Sequence, residues 1–342
     1  MFKDSKYRVM LLLLVSGAML WSGAKALGQV VGGIQDFGPN LQSISGGVCR
    51  QPEGLIIDPA GNLYAASNSD SATVGHVCVF SPGGTLTNII DIPSGTSGVI
   101  GLLGELWDRG QLYLLDQADN NVPNGRILKV NPQTHAVSTI ANGFAFPNGI
   151  VRDGNDQLFV SDSLLGRIYK LSPDGSNLTV WIDSPQLRSS NPDLPVGANG
   201  LAFDRTRGLL YVANTGDRRI FRIPVGLDGT AGALGLFADG AAIDLHLGLA
   251  GPVALFGADG IQFDVQGNLY VAANHANEIQ VYSSTAELIH RYVGLGDAAL
   301  DFPASLAFRG RELYITNMSA ADGGIHSKLS IFEAPFRGLR SR

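Results

Sequence analysis

Short apolar runs centred on a Leu-aromatic pair recur six times along the chain, at Leu63-Tyr64, Leu112-Tyr113, Leu158-Phe159, Leu210-Tyr211, Leu269-Tyr270 and Leu313-Tyr314. They stand 49, 46, 52, 59 and 44 residues apart. Each copy begins with a segment such as GLIID, GIVRD, GLAFD or GIQFD, then a Gly or polar turn, then the Leu-aromatic strand. A third strand follows at a steady offset, starting near His76, Gly125, Gly166, Arg218, Asn277 and Ser327, and alternating apolar with polar residues. That period of two is what a half-buried strand requires. Fourth, outer strands fit 85–92, 135–141, 177–183, 233–238 and 287–293, and the sixth copy has none after it. Turn signals at Asp58-Pro-Ala-Gly, Asp153-Gly-Asn-Asp and Ser172-Pro-Asp-Gly fall between the proposed strands. A unit of several strands repeated at this period, with no helical stretch between copies, predicts an all-β fold: a six-bladed β-propeller with four-stranded blades around a central channel. The stretch 30–44 is expected to supply the missing outer strand of the last blade and close the ring.

Composition changes this picture at one end only. The chain has 342 residues, 45% hydrophobic and 16% charged, enough to bury a large core, and the repeats run through it without a linker. Before them, Lys3, Lys6 and Arg8 precede an apolar run over 9–21, and Ala24-Lys25-Ala26 places small residues where a signal peptidase looks. Residues 1–26 read as a cleaved secretory signal, 27–342 as one propeller domain, and the location as secreted or periplasmic. The apolar run is too short to span a bilayer as a helix, so no stable membrane insertion is expected after cleavage. Cleavage removes four basic and one acidic residue, a net +3, moving the formal charge from −6 to −9. An acidic protein without a basic run is a poor partner for nucleic acid. The only two cysteines, Cys49 and Cys78, either pair after export or remain buried thiols; the sequence leaves this open, as it does the oligomeric state.

Candidate chemistry lies where the first strand of each copy begins, because the innermost strands of a propeller face one another across the channel. Aligning QPEG, GVIG, FPNG, GANG and GADG places Glu53, Ile100, Asn148, Asn199 and Asp259 before a Gly, with Ala304-Ser305 departing in the sixth copy. Four of these carry oxygen-bearing side chains. Two carboxylates and two neutral amides offset a divalent cation, and all-oxygen coordination selects Ca²⁺, with Mg²⁺ second because it tolerates irregular shells less well. Taken singly, Asn-Gly and Asp-Gly are also common turn dipeptides, which is the structural alternative.

The motifs QPEGL, FPNGI, GANGLAFD and GADGIQFD, backed by the Leu-aromatic strands and the GRIYKLSPDG type of third strand, resemble the calcium-dependent six-bladed hydrolases of the regucalcin/gluconolactonase (SMP-30/gluconolactonase/LRE-like) type, related to diisopropyl fluorophosphatase and the paraoxonases. The resemblance covers about 45–335. It implies one catalytic Ca²⁺ held by Glu53, Asn148, Asn199 and Asp259, polarising the carbonyl or phosphoryl oxygen of a small-molecule lactone or ester. Asp259 would then act as nucleophile or general base, and Glu53 chiefly as a charge-balancing ligand. Phe146 replaces an Arg that gluconolactonase-like members use for sugar hydroxyls, so an apolar acyl or aromatic lactone is expected rather than a sugar lactone. Gln262 and Ala307 stand where fluorophosphatase-like members hold a second calcium, so one metal is expected. Phe146, His275, Ile100, Ser305 and His246 are the expected substrate-pocket residues, and the long connections 184–196 and 241–256 candidate lids. Two other readings compete: a non-catalytic NHL-like propeller that binds a partner or ligand, and a metal-free strictosidine-synthase-like enzyme with one catalytic Glu.

Overall fold

The computed structural model describes residues 29–31, 33–68, 73–119 and 123–339; the expected signal segment lies outside them. Six four-stranded antiparallel sheets follow one another around a ring. The first is Pro52–Ile57, Leu63–Ser67, Val74–Phe80 and Leu86–Pro93, and the second Leu102–Asp108, Gln111–Asp116, Gly125–Val130 and Val137–Phe144. The third is Pro147–Arg152, Leu158–Asp162, Arg167–Leu171 and Thr179–Asp183, and the fourth Ala198–Asp204, Leu209–Asn214, Arg219–Pro224 and Gly235–Asp239. The fifth is Ala258–Phe263, Leu269–Ala273, Glu278–Tyr282 and Leu288–Val293. The sixth has Pro303–Arg309, Glu312–Asn317 and Lys328–Glu333, and takes its outer strand from the other end of the chain, where Gln35–Phe37 pairs antiparallel with Leu329–Ile331. The expected closure is therefore found. Just before it, Gln29–Val31 adds a fifth, parallel strand to the edge of blade five, which the repeat pattern did not signal.

The Leu-aromatic signature has a packing cause. It sits in the second strand of every blade, and that strand is covered on both faces by neighbouring blades. Successive side chains of a strand point to opposite faces. In blade one Leu63 joins the apolar cluster shared with blade six and Tyr64 the cluster shared with blade two. The same split recurs around the ring, with Leu112 toward blade one and Tyr113 toward blade three, and so on to Leu313 toward blade five and Tyr314 toward blade one. Each fully buried Leu or aromatic contributes roughly 2–3 kcal/mol, so every second strand stabilises two interfaces.

Cys49 and Cys78 form a disulfide, buried in the blade one/blade six cluster, which ties the segment entering blade one to that blade's third strand. Among the described residues no helix is long and apolar enough to cross a membrane. The segment ending the described residues docks on blades five and six: Gly338 N–H donates to Gly310 O, Leu339 N–H donates to Phe263 O, and Leu339 packs on the apolar cluster between blades four and five.

Candidate metal centre

Glu53, Asn148, Asn199 and Asp259 line one cavity of about 60 Å³ on the channel axis, all four buried. They arrive there because each occupies the second position of its blade's inner strand, just after Pro52, Pro147, Ala198 and Ala258, which pair with the last residue of the second strand. The Gly that follows each of them is a packing requirement. A Cβ on Gly149, Gly200 or Gly260 would come closer than 3.0 Å to the carbonyl oxygen of Asn199, Asp259 or Ala304 in the next blade. Gly54 and Gly104 abut Leu103 and Asn148 in the same way. The Xaa-Gly dipeptides thus lie within inner strands at a close approach of backbones and are not turns.

This ladder corrects the alignment in blade two. Leu102, not Gly101, pairs with the end of the second strand, so Leu103-Gly104 is the counterpart of Glu53-Gly54. Ile100 lies outside the cavity, fully buried in the apolar cluster between blades one and two. His246 is a second correction: it lies exposed in the last turn of the helix Gly240–Leu247, away from the cavity. The long connections are anchored rather than free. Arg218 pairs with Asp244 of the helix, and Asn214 Nδ2 donates to Gln186 and Arg188 oxygens of the other connection.

Behind the four residues stands a row the sequence reading missed. Ser163 Oγ donates to Ala198 O at 2.6 Å, so toward Asn148 it can only accept, and Asn148 Nδ2 donates to it at 3.2 Å. Thr215 Oγ1 donates to Ala258 O at 2.7 Å and accepts from Asn199 Nδ2 at 2.9 Å. A hydroxyl whose single proton is spent on a backbone carbonyl fixes each amide with its nitrogen on the hydroxyl and its oxygen free, the second N–H of Asn199 turning to the Asp259 carboxyl. Where the cavity residue is a carboxylate, the backing residue becomes a donor: Asn274 Nδ2 to Asp259 Oδ2 at 3.0 Å. Ser163, Thr215 and Asn274 each fall five residues after the Leu of the Leu-aromatic pair, a spacing that would have found them.

The charges are held apart from water. Burial, opposed by amide donation from Asn274 and Asn199, pushes the Asp259 carboxyl up to about 7. Burial first, then the neighbouring Asp259 and Glu105 carboxyls, drives Glu53 well above its ordinary range. Like charges brought together without a cation disfavour ionisation, whereas a divalent ion would favour it. Two carboxylates and two hydroxyl-braced amides in a space of ion and water size fit a hard divalent cation, with Glu53, Asn148, Asn199 and Asp259 as its holders.

Ser305 also lines the cavity, at the position that is Gly in the other blades, its N–H donating to Thr316 Oγ1. His275 does not line the cavity; next in sequence to Asn274, it is flanked by Phe256 and Phe302 at 5.1 and 5.3 Å and is partly exposed, and burial lowers its pKa. Phe146 does not line the cavity either; half-buried just before the inner strand of blade three, it packs on the cluster between blades two and three. The polar residues ending the second strands act as caps: Asp162 accepts from the N–H groups of Ala145, Phe146 and Leu165, and Asn317 from that of Asp301. A further acidic group, Asp301, Asp322 and His326, lies on the blade-six loops, where Asp322 is already engaged by Ser319, Ile325 and His326.

Comparison with known proteins bears on the second half of the ring first. Residues 193–319, from the entry to blade four through the second strand of blade six, match the SMP-30/Gluconolactonase/LRE-like region. Protein STRICTOSIDINE SYNTHASE-LIKE 3 of Arabidopsis thaliana is 28% identical over 138 residues, 36% of this chain, so the match spans about a third (34%) of that relative's length. Among solved structures, the calcium-binding protein regucalcin of Agrobacterium tumefaciens superposes with a TM-score of 0.60 at 16% identity, covering 85% of this chain and 93% of that one. A gluconolactonase of Xanthomonas campestris gives 0.58 at 18% identity, over 84% and 87%. At those identities the structural likeness speaks for the fold alone. Residues 193–319 are thus similar in sequence to the SMP-30/Gluconolactonase/LRE-like region, and the ring as a whole shares its fold with these solved structures.

Proposed function

We propose that the protein is a calcium-dependent hydrolase of a lactone or related ester, with Glu53, Asn148, Asn199 and Asp259 holding the ion. The observation that carries the reading is the convergence of two buried carboxylates and two hydroxyl-braced amides on one cavity of about 60 Å³. The bound ion would supply Lewis-acid polarisation of the scissile carbonyl. This chain's residues do the rest. Asn148 and Asn199 contribute oxygens without adding charge. Asp259, oriented by Asn274, is placed either to attack the carbonyl carbon or to take a proton from attacking water, and both roles use its ionised form. The cavity is too small for a substrate, which would lie above it, beside the rings of Phe256, His275 and Phe302. That aromatic cluster favours an apolar acyl or aromatic lactone. Export is part of the same proposal, supported by the pattern of residues 1–26 and by the Cys49–Cys78 pairing.

Calorimetric titration of Ca²⁺ into chelator-stripped protein tests it. One site is expected, weakened about 100-fold in a folded Asp259→Asn variant, which corresponds to about 2.7 kcal/mol. Chelator should abolish lactone or aryl-ester hydrolysis. Failure of the folded wild type to bind Ca²⁺ would overturn the proposal. The sequence match to a strictosidine-synthase-like relative favours a second reading, a metal-free enzyme, and activity that persists in chelator would select it.

A further inference from the structure

A third buried carboxyl belongs to the same chamber. Glu105 lines the cavity, is 8% exposed, and has both carboxyl oxygens buried without a well-formed hydrogen bond; the Ala66 N–H is the backbone donor that eases its charge. The corrected register of blade two shows what is unusual about it. Its counterparts in the other blades are Leu55, Ile150, Leu201, Ile261 and Leu306, all apolar. Packing alone would be served by Leu or Ile. An unpartnered buried carboxyl instead costs several kcal/mol if ionised and still disfavours folding if neutral. Glu105 also leans toward the chamber's own wall, its Cγ and Oε1 lying against Gly54, the neighbour of Glu53, and its charge acting on Glu53.

We propose that Glu105 is the third carboxylate of the cation chamber, giving it one negative charge beyond what a divalent ion offsets and so a preference for cations of high charge. This rests on the metal-site reading above. Two carboxylates would balance Ca²⁺. A third makes the chamber bind Ca²⁺ more tightly and a trivalent ion more tightly still, because Coulombic attraction scales with the charge of the ion.

The test uses the full chain and metals alone. Ca²⁺ and Tb³⁺ are titrated into stripped wild type, Glu105→Leu and Glu105→Gln, with thermal unfolding of each in chelator. Glu105→Leu installs the residue that other blades carry, and Glu105→Gln keeps an acceptor toward Ala66 should the first variant fail to fold. Expected losses are about tenfold for Ca²⁺ and about thirtyfold for Tb³⁺, with Glu105→Leu unfolding at a higher temperature than wild type in chelator. Unchanged affinity for both ions in the folded variants would overturn the proposal. So would equal losses for the two ions, which would mark a structural role. Absence of binding by wild type is a separate outcome, since it removes the metal-site reading before any variant is compared.

Discussion

In the presence of chelator, stability should fall as pH rises from about 4 to about 7, opposite to the usual course of acid denaturation. Burial pushes the Asp259 carboxyl in the folded state up to about 7, against its ordinary value of 3.8. Below the lower value both states hold the proton, so the stability this group contributes is fully present and does not vary with pH. Between the two values the unfolded chain has already released its proton and the folded chain has not, so each step upward in pH favours unfolding. The stability contributed by the protonated carboxyl is lost by the time the pH passes its folded value. Three pH units at about 1.4 kcal/mol each give a loss on the order of 4 kcal/mol from Asp259 alone. Glu53 and Glu105 are shifted in the same direction, mainly by burial, and add to the slope. Saturating Ca²⁺ should flatten or reverse it, because ion binding uses the ionised carboxylates. Below about pH 4 the trend should turn, as Asp156, Asp174 and Asp228, held below their ordinary range by hydrogen bonds, begin to protonate. Melting temperatures across this range, with chelator and with Ca²⁺, make the check. A chelated protein whose stability is flat or rises from about pH 4 to 7 would show that the chamber carboxyls are ionised and compensated by other means.

Replacing Gly200 by Ala should destabilise the ring by about 3 kcal/mol or more. The added methyl would stand well inside contact distance of the Asp259 carbonyl oxygen and of the Gly260 Cα, both backbone atoms of an inner strand that packs against two blades. Overpacking of this kind ordinarily costs about 1–3 kcal/mol where side chains can move aside, and here the obstacle is main chain. Blade four can accept the methyl only by backing away from blade five, which separates Asn199 from Asp259. Weaker Ca²⁺ binding should accompany the loss of stability. Gly154→Ala is the internal control: its Cβ would meet nothing within 4 Å and its φ is not positive, so a change within about 0.5 kcal/mol is expected. Equal melting temperatures for the two variants, read by circular dichroism, would refute the close-approach account of the Xaa-Gly ladder.

The parts of the structure that were legible in the sequence are those where one physical constraint repeats. A second strand sandwiched between two blades needs apolar side chains on both faces, so the Leu-aromatic pair marked every blade and fixed the count. The sixth copy lacked an outer strand, so one had to come from elsewhere, and Gln35–Phe37 supplies it. Four oxygen-bearing residues before a tightly packed Gly were readable for the same reason. Blade two escaped because Leu103 carries no polar atom to mark the register, while Gly98-Val-Ile-Gly101 imitates the pattern three residues early. The misread register put Ile100 in the pocket and concealed Glu105. His246 failed differently: the direction in which a helix face points depends on Arg218 and Asp244, whose pairing has no local signal. The disulfide was open because two cysteines 29 residues apart can meet or miss with equal ease until the strands between them are placed.

The borrowed strand has a consequence for how the molecule is made. Gln35–Phe37 leaves the ribosome ahead of all six blades, and its partner Lys328–Glu333 only after five of them. Blades one to five can assemble from neighbouring sequence as it appears, whereas the seal of the ring must wait until all five have been made, and contacts of such long range form slowly. Until then Ile34 and Leu41, both buried in the finished ring, have no partners from blade six. The nascent protein therefore carries a sticky, unpaired segment ahead of its blades until residue 328 and its neighbours are made, and a chain stopped short of them is left with a ring that cannot lock.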